Sequence, residues 1–315
     1  MNNSKSLIIL YFLLTSMPFY SHAQKTATGD VYLFSYFKGN GDGLHFAYSM
    51  DGLKWEALKG DSIFLRPAVG KDKLMRDPCI IKGPDGKYHM VWTVSWSEKG
   101  IGYASSTDLI HWSEQQYIPV MEHEQDALNA WAPEITYDDR NQNYLIYWAT
   151  TITNRFTQKD TSAEGKRYNH RMYATTTKDF KTYSPTTLFY EPGFSVIDAS
   201  IVKAGKKEYV MFLKNETRAP VEKNIRIARS KKLTKSFGAP SEPITGKYWA
   251  EGPAAVKIGN QWIVYFDKYT EHAYGAVSST DLKNWTDISD RVTFPKGIRH
   301  GTVFTITRGE FDRIK

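Results

Sequence analysis

One phrase recurs along this chain at intervals of 49 to 71 residues, and that repetition constrains the fold more than any other feature. Each copy has small or hydroxyl residues, an aspartate and, four residues on, an aromatic. The copies are Ser49-Met50-Asp51-Gly52-Leu53-Lys54-Trp55, Ser106-Thr107-Asp108-Leu109-Ile110-His111-Trp112, Thr177-Lys178-Asp179-Phe180-Lys181-Thr182-Tyr183 and Ser279-Thr280-Asp281-Leu282-Lys283-Asn284-Trp285. A degraded copy runs Ala228-Arg229-Ser230-Lys231-Lys232-Leu233. A second phrase, a polar head, precedes apolar runs: Arg76-Asp77-Pro78, Ala132-Pro133-Glu134, Ile197-Asp198-Ala199-Ser200, Glu251-Gly252-Pro253 and Arg299-His300-Gly301-Thr302. Anchored on Asp77, Glu134, Asp198, Glu251 and His300, the heads lie 57, 64, 53 and 49 residues apart.

After each of the first four heads come a strand, a polar turn, an aromatic strand and a tail. The clearest copy is Cys79-Ile80-Ile81-Lys82, the turn Gly83-Pro84-Asp85-Gly86, then Tyr88-His89-Met90-Val91-Trp92-Thr93. Alternating aromatic and β-branched residues bounded by such turns indicate antiparallel meanders. Several strands per unit, at a period of about 50 residues, indicate a β-propeller. The last head has no tail after it, and the first tail has no head before it. Joining the two termini in one blade makes five blades and closes the ring, which removes an open sheet edge. The chain is therefore expected to be an all-β, five-bladed β-propeller with little helix. The tail aspartates are expected to close turns, and the polar insertion from Thr157 to Tyr168 to form a rim loop.

Composition narrows the class. The 315 residues are 41% apolar and 14% aromatic, too rich for a disordered chain. A single cysteine, Cys79, excludes a disulfide scaffold and any Cys-rich zinc module, and its apolar surroundings suggest a small buried hydrophobe. Lys5, the apolar run Leu7 to Leu14 and the small-residue site Ser21-His22-Ala23 form a signal peptide over residues 1–23, too short to span a bilayer. Residues 24–315 are then one exported propeller domain, secreted or periplasmic, with no membrane insertion and expected as a monomer. The net charge of +7 comes from dispersed Lys and Arg, and no nucleic-acid motif accompanies it, so no nucleic-acid partner is expected.

In a propeller, matching positions of all blades lie on one circle about the axis, so the heads should converge at one end of the central channel. Four carboxyls and an imidazole in one funnel raise at least one carboxyl pKa, which suits general acid–base chemistry. The ordered set of heads, Arg-Asp-Pro, Trp-Ala-Pro-Glu, Ile-Asp-Ala-Ser, Glu-Gly-Pro and Arg-His-Gly, resembles the family 43 glycoside hydrolases from about Val31 to Arg308. Those are five-bladed propellers that cut arabinofuranosides, xylosides and related plant-polysaccharide linkages with inversion. The resemblance implies Asp77 as general base, Glu251 as general acid and Asp198 as the residue that tunes and orients the acid. An inverting pair needs room for a water, about 6.5–9.5 Å between carboxyls. The resemblance also places His300 at the axis, where it would hold a water or, through a water, a structural calcium; no other cofactor is required. Glu134 departs from the family's usual aspartate, and its longer reach suggests that it shapes the sugar pocket.

Arg76, Trp131, Glu134, Arg299 and His300 complete the expected substrate-binding set. Trp131 could stack on a sugar or pack between blades. Arg299 could neutralise the funnel or form an outward salt bridge. Trp96, Trp148, Tyr248, Trp249 and Tyr269 fall where rim loops are expected. The substrate implied is a plant carbohydrate such as arabinan, arabinoxylan or a pectic side chain, cut by an exo-acting α-L-arabinofuranosidase. The alternatives are a β-xylosidase, an endo-arabinanase, a β-galactofuranosidase and a propeller that binds sugar without cutting it.

Overall fold

The computed structural model describes residues 30–234 and 237–315; the expected signal peptide lies outside the described residues. The strands form five antiparallel sheets, one per blade. Blade 1 joins the termini: Thr302–Ile306 is innermost, followed outward by Val31–Tyr36, His45–Ser49 and Glu56–Ala57. The closing register pairs Val31 with Ile306 and Ser35 with Thr302. Blade 2 runs outward from Arg76–Lys82 through Tyr88–Thr93 and Ile101–Ser106 to Gln116–Ile118. Blade 3 comprises Trp131–Asp138, Asn143–Thr150, Arg171–Thr177 and Thr187–Tyr190. Blade 4 has three strands, Val196–Gly205, Glu208–Asn215 and Asn224–Ser230; blade 5 has Glu251–Ile258, Gln261–Lys268, Ala273–Ser279 and Thr286–Asp287.

The tails close the blades as the sequence suggests. The Oδ1 of Asp281 accepts from the amides of Lys283 and Asn284, both at 2.8 Å, and the Oγ of Ser279 accepts from that of Leu282 at 2.9 Å. Asp51, Asp108 and Asp179 make the same pair of bonds. In blade 4 the equivalent residue is Lys232, which has no side-chain acceptor. There the outer edge is instead covered by the following segment, through amide bonds from Gly238, Ser241 and Ile244 to Arg229, Ile227 and Ile225.

Strand alternation places the core between blades rather than inside them. Five apolar clusters form, one at each blade–blade interface. In Glu208–Asn215, Tyr209, Met211 and Leu213 face blade 3, while Val210 and Phe212 face blade 5. Most of the aromatic excess is packing of this kind: Trp92, Trp148, Tyr147 and Tyr265 are fully buried. Trp148 is therefore core and not rim, and Tyr248 stacks on Phe266 with its hydroxyl donating to Asp287.

Candidate active site at the propeller axis

The heads are bulges. In blades 2 to 5 the innermost strand slips register within the head, between Arg76 and Cys79, Trp131 and Glu134, Ile197 and Ser200, and Glu251 and Ala254. The second residue of each bulge is left-handed: Asp77 at φ 54°, Ala132 at 46°, Asp198 at 55° and Gly252 at 60°. Such a bulge re-aims side chains, here toward the axis. Three of these are not glycine, a costly conformation that gathers at functional sites. The fourth must be: a Cβ on Gly252 would lie 2.4 Å from the Cγ of His300.

This geometry corrects the expected alignment of heads. Asp77 and Asp198 occupy the second bulge position, Glu251 the first and Glu134 the fourth. They therefore stand at different depths rather than on one circle. Asp77, Asp198, Glu251, His300, Arg76, Arg299 and Trp131 all line one cavity of about 420 Å3. Glu134 does not. It is buried below the cavity, where the Cys79 thiol donates to it at 3.3 Å, and burial pushes it up to about 7. The longer side chain thus lies within the axis and not on the cavity wall where it was expected.

Two carboxyls meet at His300. Its Nδ1 lies 3.3 Å from Asp77 Oδ1 and 3.8 Å from Asp198 Oδ1. Burial disfavours a charged imidazole, yet Asp198, Asp77 and Glu134 together raise His300 to about 9. Burial also pushes Asp77 upward, but the His300 bond and charge, with help from Arg76 and Thr93, leave it below the ordinary carboxylate range. Burial dominates at Asp198, which rises to about 6 despite His300 and Lys214. Its Oδ2 accepts the Gly252 amide at 3.1 Å. Among the described residues no group of three or more His, Cys, Asp or Glu side chains is arranged to hold a metal ion.

Glu251 has partners that the heads did not reveal. Lys214 Nζ lies 2.9 Å from its Oε2, and Arg299 Nη2 lies 3.1 Å from its Oε1. Arg299 thus faces inward, and its Nε also pairs with Asp267 at 2.5 Å. Behind Lys214 stand Glu216, at 2.6 Å, and Lys223, which pairs with Glu216. Burial would raise Glu216, but the two lysines bring it down to about 2. The signal for this cluster was a lysine ending the apolar strand Tyr209 to Leu213, since lysine is rarely buried unless paired.

The walls come from loops. Trp96 and Trp131 meet edge-on with centroids 5.7 Å apart, and the Trp131 indole donates to the Trp96 carbonyl at 3.2 Å. Tyr168 and His170 lie against Trp131 at 5.1 and 5.2 Å. The insertion expected as a rim loop contributes Asp160, Glu164 and Tyr168 to the lining. Asp160 ties it to blade 4 by accepting from the amides of Arg218 and Ala219, and Glu164 pairs with Arg218. This strap walls one side of the cavity.

Residues 29–312 match the family described as a "probable glycosyl hydrolase domain", related to glycoside hydrolase family 43. The chain belongs to this family. An α-L-arabinofuranosidase of Bifidobacterium longum is 25% identical over 222 residues, covering 58% of this chain and 20% of that protein. The chain thus spans about a fifth of that relative's length. The fold is shared with an α-L-arabinofuranosidase from Lactobacillus brevis, with TM-score 0.53, 21% identity, and 68% of this chain and 72% of that one covered. It is shared too with an exo-β-1,3-galactanase from Phanerochaete chrysosporium, with TM-score 0.53, 14% identity, and 71% and 53% covered. Among the described residues no helix is long and apolar enough to cross a membrane.

Proposed function

We propose that this family member is an exported, inverting glycoside hydrolase that removes terminal α-L-arabinofuranosyl groups from plant polysaccharide. One observation carries the catalytic reading: Asp77, Asp198 and Glu251 line a single cavity but have different partners. Asp77, held below the usual range by His300, is the ionised base that takes a proton from water. The water oxygen bonds to the anomeric carbon as the glycosidic bond breaks. Glu251 delivers its proton to the departing oxygen, so it must be protonated when substrate is bound. Asp198 orients this assembly through the Gly252 amide and His300. Proton exchange with solvent then restores both carboxyls.

The strap from blade 3 and the Trp96–Trp131 corner favour a pocket that accepts a chain end over an open groove. The arabinofuranosyl assignment rests on the family resemblance and on the named arabinofuranosidase relatives. Export rests on the N-terminal sequence. A panel of nitrophenyl glycosides, with arabinan and xylan, tests the reading. Wild type should cleave the arabinofuranoside fastest, and Glu251→Gln should lose about 10²–10⁴-fold on unactivated polysaccharide. Cleavage of no glycoside would sink the enzyme reading. Full activity of Glu251→Gln on polysaccharide would overturn the acid assignment.

A further inference from the structure

The second strands carry a device that the heads alone do not show. In each of the four bulged sheets one residue of the second strand stands opposite the first bulge residue. Thr93 is opposite Arg76, Lys214 opposite Ile197, and Asp267 opposite Glu251. Each of these three directly follows the apolar run of its strand. Each also reaches the head of the next blade. Thr93 accepts the Ala132 amide at 2.8 Å, Lys214 meets Glu251, and Asp267 meets Arg299. Blade 3 has Ala149 at this position, which has no polar group to offer.

The two cations on Glu251 differ in freedom. The Arg299 side chain is 33% exposed and is shared with Asp267. The Lys214 side chain is 4% exposed. Its ammonium is enclosed by Glu216 and Glu251, with the Tyr269 ring centroid at 4.7 Å. Asp198 also acts on it electrostatically, and Lys223 holds Glu216 from behind. A ligand entering the cavity can displace this one-third-exposed guanidinium far more readily than an enclosed ammonium. The leaving-group oxygen needs access to one oxygen of Glu251, and the Arg299 side is the one able to yield.

We infer that Lys214 is the positioning residue of the general acid: fixed by Glu216 and Lys223, it holds Glu251 in place while Arg299 gives way to the leaving group. This rests on the glycosidase reading and assigns a role that the head motifs do not carry. A residue that acts only through the acid matters in proportion to the acid's work. The leaving-group dependence therefore separates positioning from general structural damage.

The test uses the full mature protein and aryl α-L-arabinofuranosides whose leaving groups run from dinitrophenyl to unsubstituted phenyl. Wild type, Lys214→Met, Glu216→Gln and Glu251→Gln are compared, with circular dichroism to confirm folding. For Lys214→Met we expect kcat on the phenyl glycoside to fall about 10²-fold, a loss that misplacing a catalytic group by about 1 Å can cause. The dinitrophenyl glycoside, which needs little acid assistance, should be nearly unaffected, and KM should change little. Glu216→Gln should shift kcat in the same sense by less, and it keeps the test open if Lys214→Met does not fold. Equal losses across all leaving groups, or no loss, would overturn the role of Lys214 while leaving the glycosidase reading intact. If wild type cleaves none of these glycosides, the arabinofuranosyl reading fails; if Glu251→Gln shows no leaving-group dependence, the acid assignment fails; in either case the inference fails with it.

Discussion

Gly252 offers the sharpest test of how the site is built. It stands between Glu251 and Pro253 at φ 60°, and its amide is bonded to Asp198. An added Cβ would meet His300 at Cγ, Cδ2 and Cβ, at 2.4, 2.6 and 2.7 Å. His300 is buried and held against Asp77, so it cannot simply swing away. Gly259 supplies the control. It has the same φ of 60°, but its added Cβ would meet nothing within 4 Å. Gly259→Ala should therefore cost only the left-handed strain, about 1–2 kcal/mol. Gly252→Ala should cost that strain plus about 1–3 kcal/mol of overpacking. Urea denaturation of both variants, followed by circular dichroism, gives the difference. Gly252→Ala should also push His300 from Asp77 and reduce kcat/KM about 10²-fold. The acidic limb of its pH–rate profile should move to higher pH, because His300 is what keeps Asp77 low. If the two alanine variants are equally stable and equally active, the close contact has been misjudged and the reasoning fails.

Two further expectations concern charge and turns. His300 is raised to about 9 from an ordinary 6.5, so its contribution to stability is complete below about 6.5 and fades as pH rises through 9. Stability curves of wild type and His300→Gln should be far apart at pH 6 and converge toward pH 10; a gap that stays constant would count against a charged His300. Ser279→Ala removes the acceptor for the buried Leu282 amide and should cost about 1–3 kcal/mol in urea denaturation, with activity unchanged because Ser279 does not line the cavity. A loss of activity in the folded variant would show that blade edges influence the axis.

The ring was legible in the chain alone. Period-two aromatic strands can be buried only against neighbouring sheets, and five heads with five tails leave one blade to be completed from both termini. The joining of the termini in one blade follows from that count; the register, Val31 opposite Ile306, comes from the structure. The tail aspartates were equally legible, because an Asx turn needs only neighbours along the chain. Seven of the proposed site residues were visible because they belong to the heads themselves: five in the bulges of blades 2 to 5, and Arg299 and His300 at the head of blade 1. Glu134 was misplaced because sequence order does not show depth, and only the bulge register puts it two residues below Ala132. Lys214, Glu216 and Lys223 lie 28 to 37 positions before Glu251 in the chain and belong to another blade. No local pattern couples them to it. Tertiary structure decided their role, because closing the ring brings the second strand of blade 4 against the head of blade 5. There an enclosed ammonium is tolerated only beside carboxyls that pair with it.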